Sequence, residues 1–191
     1  MPDEIIQFPF KGDRTYVHGT SLLSFLIKKS QNTGIQTGRI DVSFKNMIHN
    51  PTCILHQRTA TKEDSVSAKI TGPSAEIRNF CITEASAPST PSKVIFDEVK
   101  ITTGATIKDK KIIQSPIHHP DMIEVMVALC KKMHQECIDK TKKWVFSRYD
   151  GIFPIPHSHH IEIAIKKQIG TRLTCSTIHI NGELIGNIYF S

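Results

Sequence analysis

The chain has 191 residues, of which 39% are apolar and 22% are charged, a composition typical of a globular protein with one domain or two smaller ones. No apolar run approaches the ~20 residues of a membrane span, and Met1-Pro2-Asp3-Glu4 carries acids where a secretory signal carries bases. We therefore expect a cytoplasmic protein with no membrane partner. The net charge of +6 comes from dispersed basic residues, so we expect no nucleic-acid partner, although this excess suits an anionic ligand.

The cysteines and histidines form no recognisable disulfide or metal pattern. The five cysteines are odd in number and scattered, and no two are spaced as C-x-x-C. The stretch His157-Ser158-His159-His160 has no carboxylate at ligand spacing, and neighbouring residues of an extended chain point to opposite faces. We therefore expect buried, apolar cysteines, no metal ion and no other cofactor.

The first half of the chain predicts an extended stretch, one helix and then a series of strands. An apolar segment from Thr20 to Lys29 predicts the helix, which follows an extended lead-in ending at His18-Gly19. The polar stretch Lys62-Glu63-Asp64 predicts a hairpin turn between two of the strands. The extended segments are predicted at residues 5–10, 39–44, 53–61, 65–70 and 77–83.

A Pro- and Ser-rich stretch at residues 87–92 predicts a linker between an N-terminal half, residues 1–86, and a C-terminal half, residues 93–191. Trp144, Phe146 and Tyr149 are expected to anchor the end of a long helix in the second half, which Asp150-Gly151 would terminate. The second half predicts strands at 94–102 and 105–113, this helix at 120–142, and strands at 160–167, 172–180 and 183–190.

Two patterns in the second half predict which residues are buried. Asn181-Gly182 predicts a tight hairpin, because a type I′ turn needs positive φ at both central residues. Apolar residues also recur at spacings of three and four along the long helix. The helix residues are Met122, Val125, Met126, Leu129, Cys130, Met133 and Cys137. Counting back from the hairpin turn predicts one apolar face that consists of Leu173, Cys175, Leu184, Ile188 and Phe190.

Both halves predict a strand, a helix and then three or more antiparallel strands, and a sheet wrapped around one central helix is the hot-dog arrangement. Three stretches are similar to the MaoC-like hot-dog enzymes, which are R-specific enoyl-CoA hydratases and 3-hydroxyacyl dehydratases. They are Val17-His18-Gly19 with its helix, residues 38–45 and residues 63–70. The resemblance implies an α+β fold of the double hot-dog type, with two antiparallel sheets that each wrap around a central helix.

A further fragment of the same family lies at residues 115–121. It resembles the Asn-Pro-Ile-His core of the hydratase motif, and His118 matches the catalytic histidine. Ser115 stands where the family has asparagine, and Ile113 stands where it has the aspartate that helps to activate water. The pair of groups that performs the chemistry in the family is therefore incomplete in this chain.

The resemblance implies a site that acts at Cα and Cβ of an acyl thioester carried by coenzyme A or by acyl carrier protein. Such chemistry needs a base and an acid at these two carbons. His18 or His118 is expected to be the base, with Asp121 or Glu124 as the second catalytic group.

The start of the first helix also predicts a site for the thioester oxygen. The first N–H groups of a helix have no intrahelical partner, and the helix dipole favours negative charge there. We expect Gly19 and Thr20 to donate these hydrogen bonds. Since hot-dog sheets commonly join edge to edge, a homodimer is also expected.

Three functions remain open from the sequence. The first is hydration or dehydration at Cα and Cβ, by a lyase. The second is thioester hydrolysis, in which Asp121 or Glu124 activates water. The third is an acyl-binding or assembly module without catalysis, which the missing aspartate before His118 favours.

Overall fold

The computed structural model describes residues 3–117, 119–170 and 172–191. The chain divides into two compact units, of which the first ends at Phe96 and the second begins at Asp97. None of the helices in the described ranges combines the length and the apolar character that crossing a membrane requires.

The first unit is an antiparallel sheet with one long helix. Its elements are β1 (Glu4–Gln7), β2 (Phe10–Lys11), α1 (Gly19–Asn32), β3 (Gly38–Phe44), β4 (Thr52–His56), β5 (Val66–Thr71), β6 (Ile77–Glu84) and β7 (Lys93–Val94). Five strands form the sheet in the order β1-β4-β6-β5-β3, and β2 pairs with β7 in parallel. The helix predicted at 20–29 is confirmed and extends further at both ends.

The core of the first unit lies between α1 and the inner face of the sheet. Leu23, Leu26 and Ile27 are buried on the helix at spacings of three and four. Ile40 and Val42 are fully buried on β3, where burial alternates along the strand. This packing holds the helix against the sheet and thereby positions its first turn.

The predicted hairpin turn at Lys62-Glu63-Asp64 is wrong. β4 ends at His56, and β4 and β5 do not pair with each other, because each pairs with β6. His56 of β4 and Ser67 of β5 are both register partners of Cys81. The segment between β4 and β5 is therefore a connection that passes β6, a pairing decided by burial on the sheet rather than by the local turn signal.

The second unit is a six-stranded antiparallel sheet with one long and one short helix. Its elements are α2 (Glu98–Ile101), β8 (Thr106–Lys108), β9 (Lys111–Gln114), α3 (Met122–Cys137), β10 (Phe146–Phe153), β11 (Ile161–Ile169), β12 (Leu173–Ile180) and β13 (Glu183–Phe190). The strand order is β10-β13-β12-β11-β9-β8. The apolar face predicted for the long helix is confirmed, with Cys137 only partly buried at its end.

Two predicted elements of the second half are wrong. Residues 94–102 are not a strand, because the Asp97 side chain accepts a hydrogen bond from the N–H of Lys100 and caps α2. Residues 146–153 do not end a helix but form β10, since α3 already stops at Cys137. Asp150-Gly151 lies inside this strand rather than at a helix end, so it does not act as a helix terminator.

The Asn181-Gly182 hairpin is confirmed, but the predicted apolar face is partly wrong. Asn181 and Gly182 have φ of 52° and 84°, as a type I′ turn requires. The register shifts between Ile178 and His179, so that Ser176 rather than Cys175 lies opposite Ile188. This bulge turns Leu173, Cys175 and Leu184 away from the core, while Ile188 and Phe190 stay buried.

Two glycines allow β10 and β13 to approach each other. Gly151 and Gly186 are register partners, and a Cβ on Gly186 would lie 2.6 Å from the Cα of Gly151 and 2.7 Å from the carbonyl oxygen of Asp150.

We expect Gly186→Ala to lower the free energy of unfolding by about 1–3 kcal/mol, measured by denaturant titration with Trp144 fluorescence. Leu184→Ala, at an exposed position of the same strand, is the control with an expected change below about 0.5 kcal/mol. Equal effects of both variants would contradict the close-approach argument.

Candidate functional site

The start of α1 places a buried histidine at the helix entrance. His18 is the N-cap residue with an extended backbone, φ −75° and ψ 137°, and its carbonyl oxygen accepts a hydrogen bond from the N–H of Ser21 at 2.9 Å. The His18 side chain makes no capping hydrogen bond and is only 7% exposed. Its ring is therefore held inside the protein by contacts other than those of a helix cap.

The His18 ring belongs to a chain of three polar side chains. Lys11 Nζ donates a hydrogen bond to Thr20 Oγ1 at 2.8 Å, and the same oxygen lies 2.7 Å from His18 Nδ1. Thr20 is fully buried and Lys11 is 8% exposed. Strand β2 contributes the lysine and helix α1 the threonine. Two neighbouring elements thus build a buried hydrogen-bonded chain that includes an imidazole.

The Phe96 ring lies beside this chain. Its centroid is 5.3 Å from the His18 ring and 5.3 Å from Lys11 Nζ. The guanidinium carbon of Arg14 lies 4.9 Å from the same centroid. Cations within about 6 Å of an aromatic face are attracted to it, so Phe96 helps to hold both basic side chains at the helix start.

The backbone at the start of α1 adds hydrogen-bond donors to the site. The N–H groups of Gly19 and Thr20 precede the first intrahelical bonds, which run from Ser21 and Leu22 to the His18 carbonyl. The helix dipole places partial positive charge at these groups. This end of α1 is therefore suited to an oxygen atom that carries or develops negative charge.

Asp121 lies at the start of α3, in the second unit. One oxygen of its carboxylate accepts hydrogen bonds from the N–H of Ile123 at 2.9 Å and the N–H of Glu124 at 3.3 Å. Asp121 is thus the N-cap of α3. Glu124 faces a histidine, with its Oε2 atom 3.4 Å from His119 Nε2.

Sequence reasoning missed Lys11, Phe96 and His119 as neighbours of predicted site residues. Lys11 had a signal, since it is the basic residue that directly follows the extended apolar stretch at residues 5–10. Phe96 had none, because it lies far along the chain from His18 and only folding brings the two rings together. His119 follows the predicted His118, which lies outside the described residues.

Over the described ranges, no group of three or more histidine, cysteine or acidic side chains is arranged to hold a metal ion. In the histidine-rich stretch the rings of His157 and His159 are 6.5 Å apart. All five cysteines are free thiols, three of them buried and two partly buried.

Comparison with solved structures decides the fold. No protein-family model matches the sequence, and no curated protein matches it either. A Thermobifida fusca protein assigned as a thioesterase II has a TM-score of 0.56 at 8% identity, covering 98% of this chain and 91% of its own. A tesB protein of Mycobacterium avium subsp. paratuberculosis has a TM-score of 0.55 at 8% identity, and the match covers 99% of this chain and 93% of that protein. The dehydratase domain of PpsC from Mycobacterium tuberculosis, in complex with C12:1-CoA, has a TM-score of 0.53 at 8% identity, and the match covers 99% of this chain and 93% of that domain.

The chain has the hot-dog fold. Three of the six predicted site residues, His18, Gly19 and Thr20, lie together at the start of α1. Asp121 begins α3 in the second unit, where its carboxylate serves as a helix cap. The catalytic and ligand-binding roles given to these residues stay predictions.

Proposed function

We propose that this protein binds acyl thioesters of coenzyme A or acyl carrier protein, with the thioester group at the start of α1. The observation that carries the proposal is the buried Lys11–Thr20–His18 chain beside the first N–H groups of the helix. The dehydratase domain in complex with C12:1-CoA has a similar fold, which supports this ligand class.

The chemistry of a thioester suits this helix start. The carbonyl oxygen of a thioester gains negative charge when a proton leaves Cα or when a nucleophile attacks the carbonyl carbon. The N–H groups of Gly19 and Thr20 would donate hydrogen bonds to that oxygen, and the helix dipole would stabilise its charge. The same donors serve hydration, dehydration and hydrolysis.

The two units support a double hot-dog arrangement of the chain. Each contains an antiparallel sheet and one long helix, α1 in the first and α3 in the second. The proposed halves are residues 1–86 and 93–191, joined by residues 87–92. We also propose that the protein is cytoplasmic and forms a homodimer.

Among the possible reactions, we place hydration or dehydration at Cα and Cβ first and thioester hydrolysis second. A non-catalytic acyl-binding module is favoured by two observations in the second unit. Ile113 occupies the position of the expected aspartate within β9, and Asp121 uses its carboxylate as a helix cap.

Turnover assays separate these functions. Crotonyl-CoA measures hydration, and release of the thiol from a saturated acyl-CoA measures hydrolysis. If the protein is an enzyme, we expect His18→Asn to lower kcat/KM at least about a hundredfold, since a positioned acid or base contributes that much. His157→Asn, which removes an exposed histidine, is the matched control and should leave the rate unchanged. Equal rates in both variants would remove His18 from the mechanism.

Ligand binding is tested by thermal unfolding with and without coenzyme A and butyryl-CoA. A ligand that binds only the folded state stabilises it by about 2.7 kcal/mol at one hundred times its Kd. A rise in Tm without turnover would support the acyl-binding module. If millimolar ligand does not raise Tm and no turnover is found, the proposed function is overturned.

A further inference from the structure

Basic residues that are dispersed along the sequence meet at one end of the second unit. The N–H of Ile165 donates a hydrogen bond to the carbonyl oxygen of Lys110 at 3.0 Å. Lys142 Nζ donates one to the carbonyl oxygen of Arg172 at 3.2 Å, and the Cys137 side chain is hydrogen-bonded to the backbone of Lys110. These contacts join the β8–β9 turn, the end of α3 and the end of β11, which are residues 108–110, 136–143, and 166–170 with 172.

These three segments, which we name the basic end, carry most of the net charge of the chain. They contain eight basic and three acidic side chains, an excess of five positive charges, while the whole chain has a net charge of +6. The basic residues are Lys108, Lys110, Lys140, Lys142, Lys143, Lys166, Lys167 and Arg172, and the acidic ones are Asp109, Glu136 and Asp139. Folding therefore concentrates a charge that is spread out along the sequence.

Most of this charge is exposed and has no counter-ion in the structure. Within the described ranges, six of the eight basic residues are exposed and form no ion pair, namely Lys108, Lys110, Lys140, Lys166, Lys167 and Arg172. The Asp139 carboxylate instead accepts hydrogen bonds from the N–H and the hydroxyl of Thr141, at 2.8 and 2.7 Å. Because like charges repel one another, gathering them opposes folding, so stability does not explain the basic end.

The dipole of α3 accounts for only part of the basic end. Cations are stabilising near the C-terminus of a helix, but the effect falls off within the last turn. It can involve Lys140, which follows the end of α3 at Cys137. Lys166 and Lys167 belong to β11, and Arg172 immediately precedes β12. A partner of opposite charge would reduce the repulsion among all of these side chains.

The composition of the basic end favours a protein partner over a nucleic acid or a lipid surface. Ile169 is 50% exposed and lies on the same face of β11 as Lys167, and its register partner Leu173 is partly buried. Apolar contact beside charged side chains is typical of protein–protein interfaces. Seven of the eight basic residues are lysine, whereas arginine is preferred for phosphate recognition. The three segments contain no aromatic residue on which a base could stack.

We propose that the basic end is a docking surface for an acidic protein partner. Complementary charge steers such a partner to the surface and fixes its orientation, and Ile169 adds an apolar contact beside the lysines. The docking surface is a second functional feature beyond the thioester site at the start of α1, which belongs to the first unit. An acidic acyl carrier protein is the probe, because the proposed function already includes such a carrier.

Binding is measured with the whole chain and a dye-labelled acidic acyl carrier protein that carries no acyl group, by fluorescence anisotropy. We expect the Kd to rise at least about tenfold between about 0.1 M and about 1 M NaCl, because the screening length falls from about 10 Å to about 3 Å. No binding at the lower salt concentration, or the same Kd at both, would overturn the proposal.

Charge reversal tests whether the carrier binds at the basic end. Lys166→Glu with Lys167→Glu should raise the Kd about tenfold or more at low salt, because attraction becomes repulsion. Lys28→Glu with Lys62→Glu, at exposed positions of the first unit, changes the net charge equally and should raise the Kd no more than about twofold. Equal effects of the two double variants would overturn the proposal. If the first of them lowers Tm, Arg172→Glu takes its place.

The apolar contact is tested with a matched pair of substitutions. Ile169→Ser should raise the Kd for the carrier several-fold and leave its dependence on salt unchanged, because no charge is altered. Leu184→Ser changes a side chain of β13 that is 59% exposed and lies outside the basic end, and it should leave the Kd unchanged. If both variants bind like the wild-type protein, Ile169 makes no contact with the partner and that part of the proposal is overturned.

Two other anionic surfaces are tested in the same way. We expect weaker binding to a short duplex DNA, and to vesicles of phosphatidylcholine and phosphatidylserine in a ratio of about 3:1, than to the carrier protein. Tighter binding of either one that is lost in Lys166→Glu with Lys167→Glu would overturn the proposal, because the partner would then be a nucleic acid or a membrane surface.

The result with butyryl-CoA separates this proposal from the proposed function. If the carrier protein binds at the basic end while butyryl-CoA neither raises Tm nor is turned over, the docking surface is supported and the proposed function fails. If butyryl-CoA raises Tm and the carrier protein does not bind, the docking surface is overturned and the proposed function stands.

Discussion

Replacing Arg58 with Met is expected to lower the free energy of unfolding of the first unit by clearly more than the loss of an exposed ion pair does. Arg58 Nη1 and Nη2 donate hydrogen bonds to the two oxygens of Asp64 at 2.9 and 2.8 Å. The Asp64 side chain is fully buried, whereas that of Arg58 is 41% exposed. Removing the arginine would leave a buried carboxylate without its cation, and this causes most of the loss.

The environment of Asp64 shows how strongly its charged form is held. Burial by itself would raise the pKa of Asp64, but the Arg58 guanidinium and hydrogen bonds from Thr61 outweigh it and hold the pKa well below its usual range. The Thr61 N–H and hydroxyl both donate to the same carboxylate oxygen. These bonds fix the connection between β4 and β5 as it passes β6. Their contribution to stability is fully present above the ordinary pKa of aspartate, and it is lost as the pH falls through the lowered pKa of Asp64 in the folded state.

The measurement is hydrogen exchange of peptides from β4, β5 and β6 together with denaturant titration. Adding Asp64→Asn to Arg58→Met should recover part of the stability, because no uncompensated buried charge then remains. Lys111→Met breaks an ion pair whose two side chains are 42% and 27% exposed and should cost less than about 1 kcal/mol. If Arg58→Met lowered the free energy of unfolding no more than Lys111→Met does, Arg58 would not be needed to compensate the charge of the buried Asp64 carboxylate.

Acidification below pH 6.5 is expected to destabilise the second unit through His134. The ring is fully buried, with its centroid 4.8 Å from that of Trp144 and 5.2 Å from that of Phe190. Its Nδ1 donates to the Cys130 carbonyl at 2.6 Å, and its Nε2 lies 2.5 Å from Thr174 Oγ1. Burial lowers the pKa of His134, the Cys130 carbonyl partly offsets this, and Lys142 lowers the pKa further.

The sign follows from the protons bound in each state. Below the ordinary pKa of 6.5 the unfolded chain binds a proton at His134 that the folded unit does not yet bind. The free energy of unfolding therefore decreases as the pH is lowered. The loss reaches at most about 1.4 kcal/mol per pH unit, or about 2.7 kcal/mol over two units while the folded ring stays neutral. It ends once the pH has fallen below the lowered pKa of the folded state.

Trp144 is the single tryptophan of the chain and lies against His134, so its fluorescence reports the unfolding of this unit. Denaturant titrations between pH 7.5 and 4.5 should show a shallower loss of stability in His134→Gln than in the wild-type protein. The exposed His157 supplies the control, because His157→Gln should keep the wild-type dependence on pH. Identical dependence in all three proteins would assign the acid sensitivity to other groups.

Part of the candidate site was predictable from the sequence because its residues are contiguous. His18, Gly19 and Thr20 stand at the entrance of an amphipathic helix, and the helix start is a local property of the chain. Lys11 and Phe96 reach the same place through the pairing of β2 with β7 and through the chain that follows β7. No spacing rule connects these positions, so their contact with His18 could only be seen in the folded unit.

The sequence by itself determined the two long helices and the last hairpin. The spacing of apolar residues specifies a helix face, and Asn181-Gly182 specifies a turn with positive φ, so both signals depend on residues close along the chain. The tertiary structure decided that β4 and β5 flank β6, that β10 is a strand, and which face of β12 is buried. Those outcomes depend on pairing between distant segments and on a single-residue bulge, because sheet partners compete through burial and hydrogen bonding over the whole unit.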